Sequence, residues 1–459
     1  MRALYEFSVT ELRELLLQKN ITPSDIVQSL VQRIQTYDAA LGAWAYIDAD
    51  VIARQLEKIS LQDPSTHPLW GIPVGVKDIY NTFDMPTEMG SKIWKDFTPG
   101  NDARMVHYLR RAGALMLGKT VTAEFAVHHQ EQTRNPHDPE RTPGTSSSGS
   151  AAAVAAGMVP VALGSQTAGS IGKPASFCGV YGFKASFGVL PRIGVLKTTD
   201  TLDTLGFFTR SVDDLEIVFD AARVRGENYE FVHRHIDHYV GDPQRPLRVG
   251  ILEHPKWDFA GAFEKQRFAE WVETVRIDNI EIDSIECPDF LASIYDLHET
   301  LYDKALSYYF KDESDRKSLM SDRFRSMVEH GDTIPSEAYL DALERQSALT
   351  RQFNEWMEPY DLLLTLGTAG EAPYGLHCVE LPDSNLLWTF LGLPTLMMPV
   401  LKGENSLPVG ILCIGKKYSD PLIIDFAKRL KTAGYLHDIV PVNPHFDKET
   451  NGINNSDQL

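Results

Sequence analysis

Apolar positions in the first sixty residues recur at helical spacing. Ser8 followed by Glu11 forms a capping box ahead of LRELLL, and Thr22-Pro23-Ser24-Asp25 opens a second helix with Pro23 at its first position. Ile26, Leu30, Val31 and Ile34 carry that apolar stripe onward, so residues 1–65 read as packing helices. The pattern changes at GIPVGVKDIYNT, 71–82, a short β-rich run between Gly and Pro that predicts a buried strand with Lys77 inside it. A helix over 103–112 and a strand over 114–120 follow, then an Ala-rich helix over 151–156 closed by Gly157 and a strand over 158–164. LRVGIL (247–252), DLLLTL (361–366), PTLMMPV (394–400) and PVGILCIG (408–415) add four more strands. Helices alternating with buried strands predict an α/β fold. Residues 290–355 are richer in charge and read as helices without a glycine-rich site, and the polar stretch 441–459 is expected to fray. There is no internal repeat and no long linker.

Composition narrows the class. The 459 residues are 43% hydrophobic and 23% charged, the balance of a water-soluble globular chain. The net charge of −19 argues against nucleic acid as a bulk partner, though not against one small anion in a local pocket. No apolar run has the length of a membrane span, and MRALYEFSVTELREL lacks the apolar core of a secretory signal. Cys178, Cys287, Cys378 and Cys413 stand far apart with no metal or CxxC spacing, which suits a reducing cytoplasm.

The chemistry concentrates in PGTSSSGSAAAVAAGMVPVALGSQTAGSIGKPASFCGV, residues 143–180. Ser146, Ser147, Ser148, Ser150, Ser165, Ser170 and Ser176 crowd this stretch, yet it holds no histidine, aspartate or glutamate. A serine nucleophile needs a base. Lys77 is a candidate: buried in its strand, a lysine loses hydration and its pKa falls. A drop of about three pKa units costs about 4 kcal/mol, which other interactions must offset. The plain alternative is an edge lysine whose stem packs while its ammonium reaches water. Pro143–Gly149 is a loop of small residues that lets backbones approach closely, and Ser150 could simply cap the helix behind it. Gln166-Thr167-Ala168-Gly169-Ser170-Ile171 directly follows a strand. Such a turn can aim several backbone N–H groups at one point, as an oxyanion hole requires, or it can be only a turn.

Lys77, the Gly/Ser-rich loop and the Thr-Ala-Gly-Ser turn, in that order, resemble the amidase signature family. The similarity continues through LDTLGFFTRSVDDL (202–215), LLWTFLGLPTLMMPV (386–400) and LPVGILCIG (407–415), and spans roughly 8–435, weakest over 225–350. The resemblance implies a Ser–Ser–Lys triad: Ser170 as nucleophile, Ser146 as the bridging serine 24 positions earlier, and Lys77 as base. It also implies a cis peptide at Thr145–Ser146, an oxyanion hole of backbone N–H groups at Thr167, Ala168, Gly169 and Ser170, and a bracing role for Ser147. Two positions depart from the family. Ala168 replaces a glycine, tolerable if its φ stays negative. Lys173 stands where malonamidase-like members carry an arginine that grips a substrate carboxylate. Lysine offers a point charge in place of a planar fork, so Lys173 is either an anion-binding or a structural residue.

The expected fold is therefore one α/β domain around a central mixed, twisted sheet with helices on both faces. Within 1–440, the divisions are N-terminal helices (1–65), a signature core (66–225), a variable helical region (226–355) and the C-terminal part of the core (356–440). The expected activity is hydrolysis of a carboxamide C–N bond with no metal or cofactor and no nucleic-acid or membrane partner. The substrate is expected to be a small amide, an anionic one if Lys173 binds a carboxylate. A homodimer is compatible with this expectation. Two rivals stand beside it: the amidase subunit of a tRNA-dependent amidotransferase, whose Gly-Gly-Ser-Ile-Arg turn is absent here, and a catalytically silent binding protein. Cys178 as a nucleophile, and a metal at His128, His129, His137 and Asp138, are weaker candidates whose spacing fits no standard site.

Overall fold

The computed structural model describes residues 2–127, 132–225, 236 and 245–444. Eleven strands form one sheet: β1 (Trp44–Tyr46), β2 (Pro73–Lys77), β3 (Leu115–Thr120), β4 (Val161–Gln166), β5 (Tyr181–Lys184), β6 (Thr204–Thr209), β7 (Leu247–Leu252), β8 (Ile280–Ile285), β9 (Leu362–Leu366), β10 (Thr395–Lys402) and β11 (Pro408–Gly415). Their order is β1-β3-β2-β4-β6-β5-β10-β11-β9-β7-β8. β2 runs parallel to β3 and β4, and β7 parallel to β8 and β9; the remaining pairs are antiparallel. The sheet is thus mixed, with helices on both faces, in a single domain.

Most of the predicted elements stand where the pattern put them. Ser8 and Thr22 close reciprocal capping boxes with Glu11 and Asp25 at the heads of the helices Val9–Leu17 and Pro23–Leu41. The strand predicted over 158–164 instead pairs from Val161 to Gln166. Gly157, with φ +70°, turns the chain out of the helix, and Pro160 has no N–H to give a ladder. The Ala-rich helix begins earlier than predicted, at Ser148. Ser150 therefore lies inside it and caps nothing; its hydroxyl donates to Leu163 O (2.7 Å) in β4. Residues 441–444, assigned to the polar tail, are tied down: Arg33 donates to Val442 O (2.6 Å) and Asn443 Oδ1 (2.8 Å). Residues 445–459 lie outside the described residues.

Topology brings the chemistry together. Because β2 and β4 are parallel neighbours with Gly75 beside Ala162, Lys77 at the end of β2 reaches the end of β4 at Ser165 and Gln166. That is the carboxyl edge of the strands, where open α/β sheets place ligands. The helix Ser148–Ala155 starts at the same edge. A side chain at Gly149 would collide with the Ala43 carbonyl and the Val121 nitrogen, so only glycine lets the serine loop sit this close to β3.

Candidate active site

Lys77 is fully buried, and its Nζ lies 2.9 Å from each of three hydroxyl oxygens, those of Ser146, Ser147 and Ser165. Burial pushes its pKa well below the ordinary lysine value, while the Asp203 charge acts in the opposite sense. A neutral amine has two hydrogens and one lone pair, so one of the three hydroxyls must donate to it. Ser147 is an unsuitable donor, because its hydroxyl faces Ser165 O at 3.3 Å. The donor is then Ser146 or Ser165. Sequence reasoning gives Ser165 no part, although it completes the cage around Nζ.

The serine loop is held from both sides. The Thr145–Ser146 peptide is cis. Thr145 N donates to Glu380 Oε1 (3.0 Å), and Ser146 O accepts from Ala123 N (3.1 Å). Gly144 has φ +86°, and a side chain there would press on Lys173 and Pro174, so this loop packs directly on the chain that follows Ser170.

The turn after β4 is clamped by its carbonyls. His298 Nε2 donates to Thr167 O (2.8 Å), and Thr389 Oγ1 donates to Ala168 O (2.9 Å). In a trans peptide the next N–H points away from the carbonyl, so these clamps aim the amides of Ala168 and Gly169 to the opposite side. Among the described residues, the N–H groups of Thr167, Ala168, Gly169 and Ser170 donate to no protein acceptor. Gln166 Oε1 instead takes the next two, Ile171 N (2.8 Å) and Gly172 N (2.9 Å). Ala168 keeps φ outside the left-handed region, so its methyl is accommodated. Burial lowers the His298 pKa to about 4, so the ring is neutral at pH 7 and donates from Nε2. Ser170 is 5% exposed, and no hydrogen bond joins it to Ser146 among the described residues. The structure therefore gathers Lys77, Ser146 and Ser147 by hydrogen bonds, and places Ser170 beside the unspent amides.

Lys173 does not stand as a free cation. Its Nζ lies 3.2 Å from Glu380 Oε2 and 3.5 Å from Asp383 Oδ2, with all three side chains largely buried. Burial disfavours its ammonium, but Asp383 and Glu380 outweigh that and hold its pKa above the ordinary value. Two carboxylates around one ammonium sum to −1, which favours the structural reading of Lys173 over the anion-binding one. Cys178 is fully buried, its thiol pKa pushed up by burial, and Sγ donates to Pro143 O (3.5 Å). His137 Nε2 meets Cys178 O (3.0 Å) and Asp138 pairs with Arg141 (3.1 Å); among the described residues neither belongs to a cluster of three or more possible metal ligands. His128 and His129 lie outside the described residues.

A cavity of 330 Å³ opens beside this cluster, lined by Ser165, Thr167, Thr198 and Asp203 among others. A second, of 380 Å³, is bounded by Trp44, Glu88, Lys92 and Glu124 and touches none of the triad positions. Sequence reasoning missed Asp203, His298, Glu380, Asp383 and Thr389. Asp203 and Thr389 sat inside stretches already singled out, LDTLGFFTRSVDDL and LLWTFLGLPTLMMPV; the other three did not.

The amidase family model matches residues 25–424. The glutamyl-tRNA(Gln) amidotransferase A-subunit of Staphylococcus epidermidis is 28% identical, covering 94% of this chain and 98% of its own. Its counterpart in Persephonella marina is 30% identical, covering 93% and 97%. Among solved structures, the peptide amidase of Stenotrophomonas maltophilia superposes with a TM-score of 0.81 at 26% identity, over 96% of this chain and 99% of that one.

Proposed function

The chain belongs to the amidase family, and we propose that it hydrolyses a carboxamide C–N bond through a serine acyl-enzyme, with Ser170 as nucleophile, Ser146 as bridge and Lys77 as base. Ser170 Oγ attacks the carbonyl carbon as its proton passes to Ser146, whose own proton passes to neutral Lys77. Negative charge develops on the carbonyl oxygen against the N–H groups of Thr167, Ala168, Gly169 and Ser170, which are fixed before it forms. As the C–N bond breaks, the proton returns from Lys77 through Ser146 to the leaving nitrogen. Water then attacks the ester by the same relay, and Ser170 regains its proton. Ser147 braces Nζ in this cycle.

One observation carries the reading: a fully buried amine with a depressed pKa, 2.9 Å from the hydroxyl of Ser146. Removing the nucleophile tests it. Wild-type protein treated with a fluorophosphonate should gain one adduct, mapped by peptide mass spectrometry to Ser170. An adduct on another residue, or equal labelling of Ser170→Ala, would overturn the assignment.

A second reading is the amidase subunit of an amidotransferase, favoured by the two amidotransferase relatives. It predicts that glutaminase activity appears only when a partner protein is supplied. Turnover of simple amides by the isolated chain favours the first reading.

A further inference from the structure

Asp203 is the residue just before β6, and β6 lies antiparallel to β4 with Gln166 opposite Thr204. One step further along that register sets Asp203 opposite Thr167, the first residue of the oxyanion turn. The contact is made: Asp203 Oδ1 accepts the Thr167 hydroxyl (2.9 Å) together with those of Thr198 (2.6 Å) and Thr199 (2.9 Å). Oδ2 accepts Thr198 N (2.8 Å) and Thr199 N (3.0 Å). A carboxylate is an acceptor with about four lone-pair sites, and here both oxygens face donors only. The side chain is buried and lines the cavity shared with Ser165, one of the hydroxyls around Lys77.

We propose that Asp203 is a positioning residue of this site: it fixes Thr167 from the side-chain end, as His298 fixes it from the carbonyl end. The assignment rests on the acyl-enzyme reading above. With both ends of Thr167 held, the plane of the Thr167–Ala168 peptide is set, and with it the direction of the Ala168 N–H. Asp203 is also the charged group that acts on buried Lys77, favouring its ammonium form. The other ionisable groups around Asp203 are engaged elsewhere or neutral. Arg192 donates to the Asp203 and Asp200 carbonyls, not the carboxylate, and Lys197 pairs with Asp200. Tyr302 stays protonated because burial raises its pKa, with Asp203 adding to that rise, and His298 is neutral.

The charge and the hydroxyl link separate by substitution. Asp203→Asn deletes the charge, while the Thr hydroxyls can rotate to accept from the new amide. Thr167→Val keeps the charge and shape but deletes the hydroxyl link. Measured on one small primary amide across pH, Asp203→Asn should move the acid limb of kcat/KM to lower pH, because the Lys77 ammonium loses its partner. Thr167→Val should leave that limb in place and lower kcat by roughly ten- to a hundredfold with KM little changed, the scale of a misaligned catalytic group. An unchanged kcat in Thr167→Val overturns the proposal. Retained activity in Ser170→Ala would instead sink the acyl-enzyme reading. Full loss there, with Asp203→Asn and Thr167→Val both behaving as wild type, sinks only the role of Asp203.

Discussion

Lys173→Met is the most informative single change, because the two readings of Lys173 predict opposite outcomes. The substitution keeps the stem and deletes the ammonium. Glu380 and Asp383, with side chains 8% and 4% exposed, are then left facing each other without a cation. Each keeps one backbone donor, Thr145 N for Glu380 and Asn385 N for Asp383, so they are not wholly stranded. Breaking a buried ion pair by removing one partner costs about 3–5 kcal/mol. Urea denaturation of the variant at neutral pH should show a deficit on that scale. Glu380 also holds the amide of Thr145, next to Ser146, the proposed bridge. Turnover should therefore fall alike for malonamate and its matched neutral amide. Wild-type stability together with a KM raised for malonamate alone would refute this argument and restore Lys173 as an anion receptor.

Three further outcomes follow from the same geometry. Ser170→Ala should keep the fold and lose turnover on the ~10⁶-fold scale of nucleophile removal, and buried Cys178 should take no fluorophosphonate label. Because the competent form of Lys77 is the neutral amine and burial depresses its pKa, kcat/KM should rise with pH to an alkaline plateau. Lys77→Met should flatten that limb while costing orders of magnitude in rate, and a surviving limb would remove Lys77 from the relay. His298 has an ordinary pKa of 6.5 lowered to about 4 by burial, so the unfolded chain binds the extra proton between those values. Its share of stability, up to about 3 kcal/mol, is present above pH 6.5 and lost as pH falls toward 4. His298→Gln should remove that part of the slope in pH-dependent denaturation, and an identical slope in the variant would contradict the buried, neutral ring.

What the sequence made legible is mostly what neighbours along the chain decide. The capping box at Ser8, the helix start at Thr22-Pro23, the strand around Lys77 and the helix closed by Gly157 are written in residues within a turn of one another. The candidate triad was legible for a different reason, its motifs and their order. The exposed edge strand β8, with half its residues facing solvent and polar, carried no apolar run to mark it. His298 comes from the charged helical region, where the chain showed no sign of a site, and meets Thr167 across 131 positions.

The two lysines show most clearly where local reading stops. Lys77 and Lys173 each follow a glycine-containing stretch beside the serines, and each is largely removed from solvent. Burial works against the ammonium in both. Around Lys77 the nearest partners are three neutral hydroxyls, which solvate the amine in either form without adding charge, so burial wins and its pKa falls. Around Lys173 the partners are two carboxylates brought in from the loop between β9 and β10, so the charge is locked in place. No spacing near either lysine encodes that difference. It resides in whether the distant segment that folds over each one carries a formal charge, and charge-deleting substitutions at Asp203 and Glu380 read it directly.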